Sequence, residues 1–320
     1  MRPFIVAEMS ANHLGSLKRA LQIVEAAAEA GADAIKLQTW LPDSMCVDET
    51  YRIDHGPWNG QLLAELYREA WTPWEWHKPI FDRARKLGLE PFSAAFDRES
   101  VDFLETLGVK RHKVASFELV DLPLIRYMAS KGKPMILSTG MATFDETDAA
   151  YQCAGFDLTF LVCVSSYPAK PSDYQLRRFS ENDPFISHGL SDHTIGHELA
   201  VWATIRGATM LEKHLTLSRS DGGPDAAFSA EPAEFAEMVK QCRRAAEALK
   251  PVELGPRPGE STELRRSLWV TKDTKAGEPL ILNQNVRTAR PALGLPCDTL
   301  LTVAAMDLRA GTPLTAEGMA

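Results

Sequence analysis

The side chains in this sequence that could carry chemistry recur at one kind of place, at or just past the end of a short apolar run. His193 follows Gly-Leu-Ser-Asp, and His214 lies in Met210 to Leu217. Neutral imidazoles on neighbouring strand ends, with Asp192, Glu212 and Asp225 close in sequence, can hold one divalent cation. They would leave coordination positions open, as a catalytic metal requires. Lys36 in A-I-K-L-Q and Lys113 in H-K-V-A-S-F-E sit inside otherwise apolar runs. A buried ammonium must pair or bind an anion, because leaving it unpaired is costly. With Ser116 and Ser191 the two lysines make a cradle for a phosphate and a carboxylate on one small ligand. Glu8, Gln38 and Glu118 occupy the same kind of position. Each feature has a bland alternative: His193 capping a turn, His214 hydrogen-bonded in a core, and Lys36 and Lys113 paired with Glu8 and Glu118 as interior salt bridges.

Bringing these groups to one rim requires parallel strands joined by helices, whose C-terminal ends share a side of the sheet. The apolar runs supply them: Phe4 to Met9, Ala34 to Thr39, Glu90 to Phe96, Lys113 to Leu119, Pro134 to Ser138, Leu158 to Val164, Ile186 to Ser191 and Met210 to Leu217. Helical patterns lie between them. Ser16 can cap a helix through Ala30 that Gly31 ends; Asp97 to Leu107, Leu122 to Ser130, Thr143 to Ala154 and Glu198 to Ile205 are others. Eight strand-helix units in about 250 residues predict an α/β fold, a closed (β/α)8 TIM barrel. An open doubly wound sheet is the alternative, but its Gly-rich phosphate loop is missing after the first strand, where the turn reads S-A-N-H-L-G-S.

Two regions break the even spacing. Leu41 to Lys78, rich in Trp, Tyr and Pro with T-P-W-E-W-H at 72 to 77, is either a lid that shapes a substrate pocket or a packing excursion that buries its tryptophans. After Leu249, P-V-E-L-G-P-R-P-G-E packs three prolines and two glycines into ten residues, a linker signature. Beyond it, S-L-W-V-T-K-D-T-K-A-G-E-P-L and V-A-A-M-D-L-R-A-G-T-P-L carry two copies of D-x-x-A-G-x-P-L. The expected organisation is a barrel domain over 1–250, a linker over 251–264 and a small module over 265–320. A module that small gains stability by docking on a barrel, its own or a partner's.

A formal charge of -8 argues against a nucleic-acid surface or a membrane patch. Five scattered cysteines in no metal-like spacing fit free thiols in a reducing cytoplasm. No apolar run approaches the ~18 residues of a membrane span, and nothing suggests export.

Taken together and in order, V-A-E-x-S-x-N-H-x-G, A-D-A-I-K-L-Q, K-V-A-S-F-E, S-T-G-M-A, S-S-Y-P, G-L-S-D-H-T and E-K-H-L-T resemble the sialic acid synthase family. Members condense phosphoenolpyruvate with an acylamino sugar to a nonulosonic acid. The resemblance covers nearly the whole chain, and the tail resembles the antifreeze-like (SAF) domain of that family. Within it, T-P-W-E-W-H, the run from Pro123 to Thr143 and G-G-P-D-A-A-F-S are most similar to the members that make pseudaminic acid. The acceptor implied is 2,4-diacetamido-2,4,6-trideoxy-altrose, whose methyl and acetyl groups suit an aromatic loop. N-acetylneuraminate and legionaminic acid formation are the alternatives.

The resemblance implies roles. Lys36, Lys113, Ser116 and Ser191 would bind phosphoenolpyruvate; His193 and His214 would hold Mn2+ or Mg2+ against the sugar's aldehyde oxygen; Glu8 and Gln38 would line the metal and acceptor side. Glu118 and Glu212 are acid-base candidates, and Asp225 with Tyr167 would contact the acceptor. Arg290 would reach into the other barrel of a domain-swapped homodimer. Three positions depart from the family pattern: Ser165 stands for an Asn and fits a shifted acceptor or phosphate contact, Ala94 for a Thr, and Ala292 for a Gly. Two readings of other kinds compete. A Schiff-base aldolase would use Lys36 or Lys113 as nucleophile without a metal, and a non-catalytic carbohydrate-binding protein would have lost the histidines and lysines that stand here.

Overall fold

The computed structural model describes residues 2–155, 157–174, 176 and 189–320. Chain contacts divide it into two compact units, Met1–Lys250 and Pro251–Ala320.

In the first unit eight parallel strands pair in sequence order: β1 Phe4–Glu8, β2 Ala34–Thr39, β3 Glu90–Ala95, β4 His112–Val114, β5 Met135–Ser138, β6 Leu158–Cys163, β7 Gly189–Asp192 and β8 Met210–His214. β8 pairs back onto β1 in the register Phe4↔Met210 to Glu8↔His214, which closes the barrel. The helices are α1 Leu17–Glu29, α2 Pro42–Met45, α3 Leu63–Ala70, α4 Trp74–Lys86, α5 Arg98–Thr106, α6 Leu122–Ala129, α7 Phe144–Ala154, α8 Glu198–Ile205 and α9 Pro232–Ala248. Their starts follow local chemistry. The side chains of Ser16, Asp97 and Asp121 accept the exposed N–H groups of Arg19, Ser100 and Leu124, and Thr143 with Glu146 forms a reciprocal capping box.

The period of two along each strand sorts its side chains between the outer helical layer and the barrel interior. Inside, Phe4, Val6, Ala34, Phe92, Ile136, Leu161 and Met210 make an apolar plug. Two residues further along the same strands come Glu8, Lys36, Ser138, Cys163 and Glu212. A polar layer therefore sits on an apolar one, toward the C-terminal mouth. Gly189 marks the tightest point of the plug: a Cβ there would lie 2.4 Å from the Met210 carbonyl oxygen and 2.6 Å from a Leu161 methyl. Gly189→Ala is expected to cost about 1–3 kcal/mol through overpacking, read as a lower denaturation midpoint. Unchanged stability would refute this close-packing account.

Three sequence expectations need correcting, and a fourth falls partly outside the described residues. The run from Lys113 is strand only to Val114; Ser116–Glu118 turns as a short 3-10 helix because the polar residues of S-F-E leave the sheet at the rim, ahead of the Asp121 cap. β8 ends at His214, not Leu217, since Ala230 N–H takes the His214 carbonyl and Thr216 bonds back to Ala230. T-P-W-E-W-H belongs to the regular crossover helix α4, which starts after Pro73, so the true insertion is the shorter stretch from Leu41 to Trp71. Residues 186–188, the expected start of the seventh strand, lie outside the described residues.

The second unit contains one antiparallel pair of strands, β9 Ser267–Val270 and β10 Val286–Ala289. Its core holds Leu268, Val270, Leu280, Val286, Ala304 and Leu314. The repeated motif has a reciprocal logic. The carboxylate of Asp273 in the first copy accepts Ala310 N–H of the second at 2.8 Å, and Asp307 of the second accepts Ala276 N–H of the first at 3.0 Å. Thr274 and Leu308 exchange backbone hydrogen bonds between the copies, each copy turns at a glycine with φ near +85° (Gly277) or +83° (Gly311), and Leu280 and Leu314 enter the core.

Candidate active site

The polar layer of the barrel holds an ion triad over three consecutive strands. Lys36 Nζ on β2 lies 3.1 Å from Glu8 Oε2 on β1 and 3.2 Å from Glu212 Oε1 on β8, all three side chains buried. Ser191 on β7 donates to the same Glu212 oxygen at 3.1 Å. Burial favours the neutral carboxyls, but Lys36 and Lys113 outweigh it at Glu212 and hold it below the ordinary range. At Glu8 burial wins and the pKa rises to about 7, so Glu8 is the member that takes up a proton. Lys36 stays charged: burial opposes this, and Glu212 and Glu8 overcome it. The interior salt bridge is thus real for Lys36, with Glu212 as a partner that sequence reasoning had not paired to it.

Lys113 differs. Its Nζ donates to Val114 O and Ser138 Oγ, both at 2.7 Å, with no carboxylate within ion-pair distance among the described residues. Burial drags its pKa down to about 8. Of the two lysines, this is the one with charge to spare for an anion. Ser116 Oγ and Ser165 Oγ lie 2.8 Å apart beside Gly140, where a Cβ would strike both side chains, so the S-T-G-M-A turn closes against a hydroxyl pair.

His193 and His214 meet edge to face, ring centroids 5.4 Å apart. Both are buried. His193 Nδ1 lies 2.7 Å from Val164 O, so this nitrogen carries a proton and the neutral ring has its lone pair on Nε2; burial opposes charging of the ring, and Cys163 and Val164 O outweigh it and raise its pKa. His214 Nδ1 is buried without a hydrogen-bond partner, and burial with the nearby His193 lowers its pKa well below that of ordinary histidine. Among the described residues no three His, Cys, Asp or Glu side chains converge as a metal-binding group. Asp192, which stood close in sequence, turns to the outer layer and pairs with Lys213 at 2.8 Å.

Above this layer opens a cavity of about 380 Å³. Gln38, Ser116, Glu118, Tyr167, His214 and Asp225 line it, as do Tyr51, Ile53, Trp58, Leu63 and Tyr67 from the insertion. The insertion therefore shapes a pocket. Trp58 donates its indole N–H to Pro224 O at 2.9 Å and packs 5.3 Å from the Tyr167 ring, which itself lies 4.5 Å from His193. Burial raises the Glu118 carboxyl to about 7 and leaves Oε2 without a hydrogen-bond partner. Asp225 accepts from Ser10 Oγ at 2.5 Å. The structure thus gathers thirteen of the fourteen sequence-derived candidates at one barrel mouth. Arg290 belongs to the second unit, where it is exposed. Sequence reasoning gave no role to Ser10, Ser138, Cys163, Trp58 or Phe228; Ser10, Ser138 and Phe228 stand inside quoted motifs, which is the available signal.

Comparison with known proteins agrees with this architecture. The profile of the NeuB family matches residues 23–253. A pseudaminic acid synthase of Helicobacter pylori is 41% identical over 98% of this chain and 97% of its own. An N,N'-diacetyllegionaminic acid synthase of Legionella pneumophila is 34% identical over 99% and 94%. Among solved structures, a sialic acid synthetase of Leptospira borgpetersenii superposes with a TM-score of 0.73 at 29% identity, covering 81% of this chain and 89% of that one. The motifs along the strand ends, the closed barrel and these relatives agree, and the chain belongs to the NeuB family.

Proposed function

We propose that the chain condenses phosphoenolpyruvate with 2,4-diacetamido-2,4,6-trideoxy-altrose and water to give pseudaminic acid and phosphate. The observation that carries this reading is the meeting, at one barrel mouth, of two imidazoles, an ammonium with no carboxylate partner among the described residues and an aromatic-lined cavity. The full-length similarity to pseudaminic acid synthases supports the acceptor.

The chain's own groups suggest the roles. Lys113, with Lys36, Ser116, Ser165 and Ser191, binds the phosphate and carboxylate of phosphoenolpyruvate. Tyr167, Asp225 and Gln38 hold the sugar, with its methyl groups against the insertion's aromatic side chains. The donor set suits a divalent ion, Mn2+ or Mg2+: His193 presents Nε2 because Val164 fixes the other nitrogen, and His214 has a buried nitrogen with no other use. Bound there, the ion would polarise the aldehyde. C3 of the enol forms a bond to C1 of the sugar, water adds at C2, and phosphate leaves by cleavage of the C2–O bond. Glu118 handles the proton of that water, since its pKa near 7 suits transfer at neutral pH while Glu212 is held ionised by Lys36. Glu8 lines the metal side of the layer. The C-terminal unit is read as an antifreeze-like domain, with 251–264 as its linker. Its Arg290 would complete the barrel of a second copy in a swapped homodimer. No helix among the described residues is long and apolar enough to cross a membrane, and a cytoplasmic location fits the five free cysteines.

Phosphate release measured with phosphoenolpyruvate and a panel of acetamido sugars tests the reading. The altrose-type sugar is expected to be preferred; preference for N-acetylmannosamine or the legionaminic precursor would overturn the acceptor. One observation favours a second chemistry: an amine with a pKa near 8 is a plausible Schiff-base nucleophile. Borohydride with pyruvate is expected to trap nothing, and EDTA to stop turnover. A covalent adduct with metal-independent activity would instead establish an aldolase.

A further inference from the structure

We propose that Ser10 is a specificity-determining and positioning residue of the acceptor site, acting through Asp225; this rests on the reading of the pocket as the sugar's. Ser10 is buried, yet its backbone is left-handed, with φ +46°. Serine takes that conformation at a cost that glycine avoids, so a serine held there by its surroundings points to a use for its side chain. The use is visible: the hydroxyl donates to Asp225 Oδ2 at 2.5 Å, across a separation of 215 residues. The next residue, Ala11, adds its N–H to the same oxygen at 3.3 Å. Asn12 then secures the far side of the loop. It donates to Leu215 O at 3.1 Å and to Ser229 Oγ at 2.9 Å, and Ser229 in turn donates to the Asp225 carbonyl at 2.6 Å. The segment after β1 thereby holds both the carboxylate and the backbone of Asp225, and the same oxygen takes both of its bonds. Oδ1 is left for a ligand. Ser10 itself also lines the cavity.

This arrangement fixes which way Asp225 presents its second oxygen to a polar group of the sugar, and its hydrogen bonds run to Asp225, Leu215 and Ser229 rather than to the lysines and serines assigned to phosphoenolpyruvate. The effect of Ser10 is therefore on one substrate only.

Ser10→Gly and Ser10→Ala in the full-length chain test this, with metal supplied and each substrate varied in turn. Glycine removes both hydroxyl and strain; alanine removes the hydroxyl and keeps the strain. Both variants are expected to raise the KM for the sugar about ten-fold, as for loss of a hydrogen bond to a charged group. The KM for phosphoenolpyruvate should move less than two-fold. The glycine variant should melt no lower than the parent, which separates a positioning role from damage to the fold. An unchanged sugar KM, or an equal rise for both substrates, overturns the proposal. If the parent prefers a different acetamido sugar, the acceptor reading falls while the KM ratio measured on that sugar still judges Ser10. A parent that turns over no acetamido sugar overturns both.

Discussion

His214→Ala is expected to lower turnover by roughly a thousand-fold or more while the barrel melts close to the parent's temperature. The side chain is buried, but its Nδ1 bonds to nothing among the described residues. Its packing partners are rings, His193 at 5.4 Å and Phe228 at 5.1 Å. Removing it therefore breaks no polar network. It leaves a modest cavity beside a pocket already open to ligand, where the usual penalty for a hole in a closed core is smaller. A large loss of activity with little loss of stability is the pattern expected of a group kept for chemistry. Equilibrium dialysis against Mn2+ gives a second readout, since the variant should retain less of the ion than the parent. A fully active variant would refute the metal role of this histidine.

The strand order was legible because a parallel barrel writes itself into the sequence as short apolar runs that end in polar residues at regular distance. What decided the site was harder to read. Glu8 and Lys36 are neighbours in register on adjacent strands, and that pair was anticipated. Glu212 reaches the same lysine from the strand on the other side of β1, which follows only once β8 closes on β1. Lys113 with Glu118 is the other interior salt bridge that the sequence offers as a bland alternative. The chain leaves the sheet at Ala115, so Glu118 turns into the cavity and Lys113 bonds to Ser138 on β5. The tryptophans divide for a different reason: Trp74 and Trp76 sit on α4, where Trp74 stacks on Phe103 at 4.4 Å, while Trp58 of the insertion reaches the pocket wall, as does Trp40 just past β2. Composition marks an aromatic segment; only the helix boundary after Pro73 tells which of its rings face a ligand.

Lys113→Met is expected to cripple turnover and stabilise the fold at once. An ordinary lysine titrates near 10.5, and burial brings this one to about 8. Below pH 8 both folded and unfolded chains carry the proton, and keeping the charge inside costs roughly 3 kcal/mol of stability. Between about pH 8 and 10.5 the unfolded chain binds the proton and the folded chain does not, so stability recovers as pH rises through that window. Methionine fills similar volume without a charge. The bonds to Val114 O and Ser138 Oγ are lost and offset part of the gain, leaving a net stabilisation of about 1–2 kcal/mol, or a rise of a few degrees in Tm at pH 7. Turnover should fall by roughly a thousand-fold, because the other buried lysines among the described residues, Lys36 and Lys213, are each neutralised by a carboxylate. The parent should show the same dependence in its pH profile: kcat/KM for phosphoenolpyruvate declines above about pH 8, where the ammonium is lost, and the Met variant's residual rate lacks that limb. A variant that is both active and less stable would mean that Lys113 holds the barrel together and binds no anion.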